Sequence, residues 1–468
     1  MAGDPRGLAE IMSDRISPPA GSTWLARLTP AAWHQRPHWP RFEHWGVKLG
    51  EFFLAQGLLQ ILMFLAGFAL LRWMPKAEYA LLTFAFSVQG MMMTAVDLGI
   101  VGAIVPLVGA RVGDRRVVGH YVAAGRQLRW WLVPVTLLVG GGMYLYGIQR
   151  HAIGFWSGTV LLLLILGAVV ISLLMALPGA VLVANQRLRF AHSLWIGSYT
   201  VRVLVYGAAY MFGFLSAQLA VGLTTVLNGV QAVWTRRAAG ALFIEPRSED
   251  GNAVKVARAE ILRFVRPQLP ILLFNAMQGQ IMILVVAFMG TTSGLADVGA
   301  LSRLGQLFSF TPLLLSWIVQ PYFARLGADL VLRRWVQVMT GGVACLALVA
   351  IAGFLFPEPF LWLLGPKYGS LSQEIGWMLA ASVLGVGQAL VSNLSAARKW
   401  VYDDAILWYA GFSLLGVGIG ALLNDVSTPL GGLRMVVAMN VGGLVAYLLL
   451  AARGLRGAAC DLPLVKSE

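Results

Sequence analysis

Residues 236–263 read RRAAGALFIEPRSEDGNAVKVARAEILR, the longest polar stretch inside an otherwise apolar body. The middle of the stretch, Glu245-Pro246-Arg247-Ser248-Glu249-Asp250-Gly251-Asn252, has the composition of a linker. Val254, Ala257, Ile261 and Phe264 then recur at helical spacing, which predicts a short amphipathic surface helix. Outward from this stretch, in both directions, the chain turns apolar. A helix crosses the bilayer core with about 20 apolar residues. Six such segments precede the stretch, near 46–71, 78–98, 128–148, 157–180, 194–213 and 216–235. Six follow it, near 266–289, 298–322, 337–357, 374–396, 404–423 and 435–452.

The fold class this predicts is an all-α polytopic membrane protein, about twelve transmembrane helices in two six-helix lobes. The organisation is an N-terminal extension (1–45), an N-terminal lobe (46–236), the linker (237–263), a C-terminal lobe (264–455) and a tail (456–468). Composition agrees. Of 468 residues 58% are hydrophobic and 12% charged, against about 25% charged in soluble domains. Lipid-facing surface accounts for the deficit. Cys345 and Cys460 share no metal-site spacing. The extension, with Arg6, Arg15, Arg27, Arg36, Arg41 and several prolines, has no apolar core of a signal peptide.

The net charge of +14 is distributed as punctuation between spans and implies no nucleic-acid partner. With twelve spans, 27 of the 35 basic residues fall on the side of the linker and both termini. Arg72, Lys76, Arg150, Lys367 and Arg434 fall on the other side, and Lys48, Arg202 and Arg303 lie within spans. By the positive-inside rule the linker and both termini are expected to be cytoplasmic. The echo between Glu78-Tyr79-Ala80-Leu81 and Ala296-Asp297-Val298-Gly299-Ala300-Leu301, each opening a span with a proline near its other end (Pro106, Pro321), fits two repeated halves.

No soluble catalytic motif stands out, and an enzyme is not expected. Polar residues inside spans are costly in lipid and mark cavities. In the fifth span Trp195, Tyr199, Arg202, Tyr206 and Tyr210 fall on one face. Rings stack on sugar faces and guanidinium binds phosphate as a fork, so the stripe suits a glycosylated anion. Interfacial aromatics, with Arg202 paired to a neighbouring helix, are the rival reading. Lys48 and Glu51 share a face of the first span with Gln56 and Gln60, and Gln268, Asn275 and Gln278 share a face of the seventh. Arg303 and Gln306 are neighbours in the eighth. Asp97 is either a coupling carboxylate, as Glu51 could be, or the cap of the short helix after it. Gly416, Gly418 and Gly420 read as helix-packing surface.

Taken together, the chain resembles the bacterial O-antigen and exopolysaccharide flippases, in the polysaccharide-transport branch of the MOP exporter superfamily. The resemblance covers roughly residues 46–455. It rests on the two halves, on Glu78-Tyr79-Ala80-Leu81…Phe86-Ser87…Asp97-Leu98-Gly99, and on Leu364-Gly365-Pro366-Lys367-Tyr368-Gly369 before the tenth span. It implies a multi-pass inner-membrane protein moving undecaprenyl-pyrophosphate-linked oligosaccharide by alternating access, alongside polymerase and chain-length machinery. No cofactor is implied; a proton or sodium gradient would drive transport. Arg202, Arg303 and Lys48 would hold the pyrophosphate, and the aromatic stripe the sugar. Alternatives are a multidrug exporter or a peptidoglycan-precursor flippase of the same superfamily. A membrane polysaccharide polymerase or ligase would carry a large loop on the far side, and the longest such connection, 358–373, is short.

Overall fold

The computed structural model describes residues 39–460, except 110, 152, 186, 310, 399, 401 and 403. Most of the N-terminal extension and the end of the tail lie outside the described residues. Every segment expected to span is helical. The first half holds α1 (Trp39–Trp73), α2 (Lys76–Asp97), the short α3 (Ile100–Gly109), α4 (Arg115–Arg150), α5 (Phe155–Ala184), α6 (Leu188–Met211) and α7 (Ala217–Gly240). The linker carries α8 (Gly251–Val265). The second half holds α9 (Leu269–Gln278), α10 (Ile281–Met289), α11 (Thr292–Gly305), α12 (Thr311–Leu314), α13 (Gln320–Ala324), α14 (Ala328–Leu355), α15 (Glu358–Leu364), α16 (Ser372–Ala397), α17 (Ala405–Leu423) and α18 (Pro429–Cys460).

Among the described residues, eight helices are long and apolar enough to cross a membrane, and nine if the pair ending in α9 and α10, bent by 50°, counts as one span. The remaining expected spans fall short of that measure for visible reasons. α6 and α7 carry polar side chains along their length, among them Arg202, Thr224, Asn228 and Gln231. The eighth span is interrupted after α11 by a 3-10 turn, Gln306–Phe308, and a π-helical stretch, Leu315–Val319. The bend of the seventh span falls between Gln278 and Ile281.

Local chemistry sets most ends. Pro75, which cannot extend α1, starts α2. α2 stops at Leu98 and Gly99, both left-handed (φ 40° and 79°). Asp114 caps α4, accepting from the backbone N–H of Arg116 (3.0 Å) and Val117 (3.2 Å). α4 therefore begins well before residue 128. With 36 residues it is about 54 Å long, against a bilayer core of about 30 Å. Its foot projects beyond the apolar slab.

The linker docks on that foot. Ile244 N–H donates to Arg115 O (2.9 Å), Tyr121 Oη donates to Glu260, and the Arg258 guanidinium lies 5.0 Å from the Trp131 ring centre. The apolar face of α8 is real, but Val254, Ala257, Ile261 and Val265 are buried against α3, α4 and neighbouring residues. The expected amphipathic helix is present, and its apolar face is covered by protein. Arg129, placed by the sequence among the loop-side charges, is 2% exposed. It meets Asp97 (3.6 Å) and donates to Ser172 O and Leu173 O of α5.

Two of the three glycines in α17 make the close helix contact expected of them. A Cβ on Gly416 would sit 2.3 Å from Ala438 O of α18, and one on Gly420 2.6 Å from Met435 Cα, whereas Gly418 faces open space.

The buried residues form three clusters that define two ends of the molecule. At the end away from the linker, the distal end, one cluster draws from both halves, including Leu70, Tyr79, Phe84, Tyr206, Leu301 and Leu364. At the linker end each half has its own. Ile104, Val118 and Leu177 form one in the first half, joined by Ile261 of the linker and Val265 just after it, and Phe323, Val331, Leu394 and Ala451 form the other in the second.

Candidate functional site

The fifth-span stripe folds as α6 and divides. Arg202 and Tyr206 are buried at 8% and 2% exposure, while Trp195 and Tyr210 are exposed. Tyr210 stacks on Trp73 near the distal end (5.2 Å between centres) and takes no part in the buried cluster. The Arg202 guanidinium lies 4.5 Å from the centre of the Tyr199 ring and donates to Asn228 Oδ1 of α7 (2.8 Å). Its Nε is buried without a hydrogen-bond partner. Tyr206 Oη reaches Ala220 O (3.4 Å) and Thr224 Oγ1 (3.3 Å) on α7. Arg202 is thus held by a neighbouring helix, as the rival reading has it, but by a neutral amide.

Arg303 arrives from the other half. On α11, its Nε donates to Tyr79 Oη of α2 (3.1 Å) and its Nη1 to Gln306 Oε1 (3.3 Å). It lies against Gly67 of α1. Gln60 of α1 donates to Ser309 Oγ (2.9 Å) just beyond. Among the described residues no carboxylate forms an ion pair with Arg202 or Arg303. The arrangement is two cations from opposite halves, Arg202 buried and Arg303 half-buried, each with a tyrosine against its guanidinium. Buried charge without a counter-ion is costly. An anion entering the seam would recover part of that cost through charge-assisted hydrogen bonds.

The other candidates lie elsewhere. Lys48 and Glu51 fall on α1, with side chains outside the described residues. Gln268 is exposed and bonds back to Phe264 O (3.3 Å); Asn275 is exposed. Gln278 joins a separate polar network inside the second half, accepting from Tyr409 Oη (2.7 Å) and meeting Asn440 Oδ1 (3.4 Å). Asp97 accepts from Val101 N–H (3.2 Å) at the start of α3, the capping arrangement. Among the described residues no three His, Cys, Asp or Glu side chains gather as a metal site.

The sequence reading missed Tyr79 and Asn228. Tyr79 could have been found through the echo. The segment opening at Glu78 and the one opening at Ala296 are the segments that meet, Tyr79 Oη lying 3.4 Å from Gly299 O.

No family model matches the chain, and no curated protein matches it in sequence. Solved structures do match in fold. An inward-facing multidrug resistance MATE family transporter of the MOP superfamily superposes with a TM-score of 0.63 at 13% identity, over 86% of this chain and 96% of the other. An outward-facing structure described in the same words gives 0.51 at 14%, over 87% and 95%. A MATE transporter from Vibrio cholerae gives 0.51 at 14%, over 86% and 97%. The chain is therefore an all-helical, multi-span membrane protein with the fold of MOP-superfamily transporters. The solved structures it is similar to are MATE transporters.

Proposed function

We propose that the protein is a transporter working by alternating access, and that its cargo is an amphiphile with an anionic head. The observation that carries this is the pair Arg202 and Arg303, on opposite halves and, among the described residues, without carboxylate partners. Tyr199 lies against Arg202, and Tyr79 accepts from Arg303. A diphosphate offers several acceptor oxygens to two guanidinium forks, and the rings offer faces to a sugar. On this reading the finer cargo is undecaprenyl-pyrophosphate-linked oligosaccharide, moved from the cytoplasmic leaflet for polysaccharide assembly. The two halves would act as lobes. Separate linker-end cores allow them to part on the linker side, while the shared distal core closes the other. The second reading is a multidrug exporter, favoured by the fold likeness to multidrug MATE transporters.

The test is transport in proteoliposomes of a fluorescent lipid diphosphate against a cationic dye. The anionic reading expects diphosphate movement that Arg202→Ala reduces more than about tenfold at unchanged monodisperse protein, with partial recovery in Arg202→Lys, which keeps charge but loses the fork. Dye movement indifferent to Arg202→Ala would give the multidrug reading instead.

A further inference from the structure

Above the two arginines the distal closure is made by specific polar contacts between the halves. Lys76 at the start of α2 pairs with Asp297 of α11 at 2.7 Å, with Asp297 mostly buried (12% side-chain exposure). The Lys76 ammonium also lies 5.5 Å from the Tyr368 ring centre. Lys367 Nζ donates to Arg72 O (3.0 Å) and Met74 O (2.8 Å), and Arg72 returns Nε to Leu363 O (3.1 Å). His151, after α4, bridges Ala287 O (2.8 Å) and Thr292 Oγ1 (3.0 Å). Three of the five basic residues assigned to the far side are thus engaged across the two halves.

One residue belongs to this latch and to the arginine site at once. Tyr79 lies one turn below Lys76 on the same face of α2. Its hydroxyl donates toward Gly299 O (3.4 Å) and accepts from Arg303 Nε (3.1 Å). Asp297, Gly299 and Arg303 follow one another down α11. The hydroxyl therefore ties α2 to α11 through the same guanidinium that faces the seam.

We propose that Tyr79 couples the site to the latch: an anion that takes the Arg303 guanidinium removes the bond holding α11 to α2 and favours distal opening. The proposal rests on the anionic-cargo reading. A neutral hydroxyl competes poorly with a phosphate oxygen for a guanidinium, because charge-assisted hydrogen bonds are roughly twice as strong. Linkage makes the effect reciprocal: whatever loosens the Tyr79–Arg303 bond opens the latch and tightens anion binding.

The test uses the full chain with Cys345 and Cys460 replaced. Spin labels stand at Phe155→Cys and Phe356→Cys, both exposed at the distal end. Without ligand, Tyr79→Phe is expected to raise the long-distance population roughly threefold, about 0.65 kcal/mol. Lys76→Ala should do the same, and the exchange Lys76→Asp with Asp297→Lys should restore the closed distribution. Unchanged distances in Tyr79→Phe and Lys76→Ala would overturn the latch. The binding probes are inorganic pyrophosphate and a short isoprenyl diphosphate, which separate a free anion from a lipid headgroup. Tyr79→Phe should bind the effective probe about fivefold more tightly than the unaltered protein, and Arg303→Ala should abolish the probe-induced opening. Equal or weaker binding by Tyr79→Phe overturns the coupling. Binding of neither probe to the unaltered protein refutes the anionic-cargo reading and the coupling with it, while the ligand-free distances still decide the latch.

Discussion

At the distal end, helices from both halves bury one apolar core and add an ion pair, carbonyl clamps and a histidine bridge across it. At the linker end the same halves keep separate cores, and the linker is docked on the first of them. The difference teaches how such a molecule can move. On the proposed alternating access, halves whose linker-end cores are largely their own can part there with little loss of buried apolar contact. The distal end, closed by a shared core, has to trade its contacts for something else when it opens. On the proposed reading, a cargo held by Arg202 and Arg303 is placed where that trade is made.

The largest expected effect comes from freezing the distal end. Lys76→Cys with Asp297→Cys, joined by a short thiol cross-linker, should abolish transport, and cleaving the cross-link should restore it. Full transport in cross-linked protein would break the comparison, because the distal seam would then not need to open.

Next is Gly299→Leu. A Cβ at Gly299 would stand 2.2 Å from Thr83 Oγ1, and that hydroxyl is pinned to Tyr79 O at 2.8 Å. The halves must shift apart, so the ligand-free distal distances should lengthen and transport should fall about tenfold. The shift should appear in spin-label distances before it appears in thermal stability.

Tyr206 sharpens which part of the site needs a ring. Tyr206→Ala removes a buried aromatic from the shared core and should cost about 3–5 kcal/mol, read as a lower melting temperature in detergent. Tyr206→Phe forfeits two long hydrogen bonds and should cost about 1 kcal/mol, with transport nearly unchanged.

The smallest effect is expected at the linker end. Ile261, fully buried under α8, should give way in Ile261→Ala by loosening α8 from α4. Tryptic cleavage near Lys255 and Arg258 should rise several-fold, while the distal distances stay where they are. A distal change in this variant would mean the two ends are not independent.

The sequence by itself determined the membrane class, the helix positions and the interrupted two-part layout, because lipid punishes exposed polar backbone and side chains residue by residue. It singled out Arg202 by depth and Arg303 by position, for the same local reason. What lies between them was decided by tertiary structure. Helical periodicity puts Trp195 and Tyr210 on the same face as Tyr206, yet only neighbours at the right height, Thr224 and Asn228 on α7, bury part of that face. The buried face of α8 was legible, and its partner was not, since an apolar stripe fits lipid and protein alike. Tyr79 shows the same limit most sharply. The echo between the segments opening at Glu78 and Ala296 marks its helix, but not the contacts its hydroxyl makes. Its place between Lys76–Asp297 and Arg303 exists because α2 and α11, 220 residues apart at the Tyr79–Gly299 contact, pack against each other. Contact across such a separation is a property of the packed halves, and no spacing along the chain encodes it.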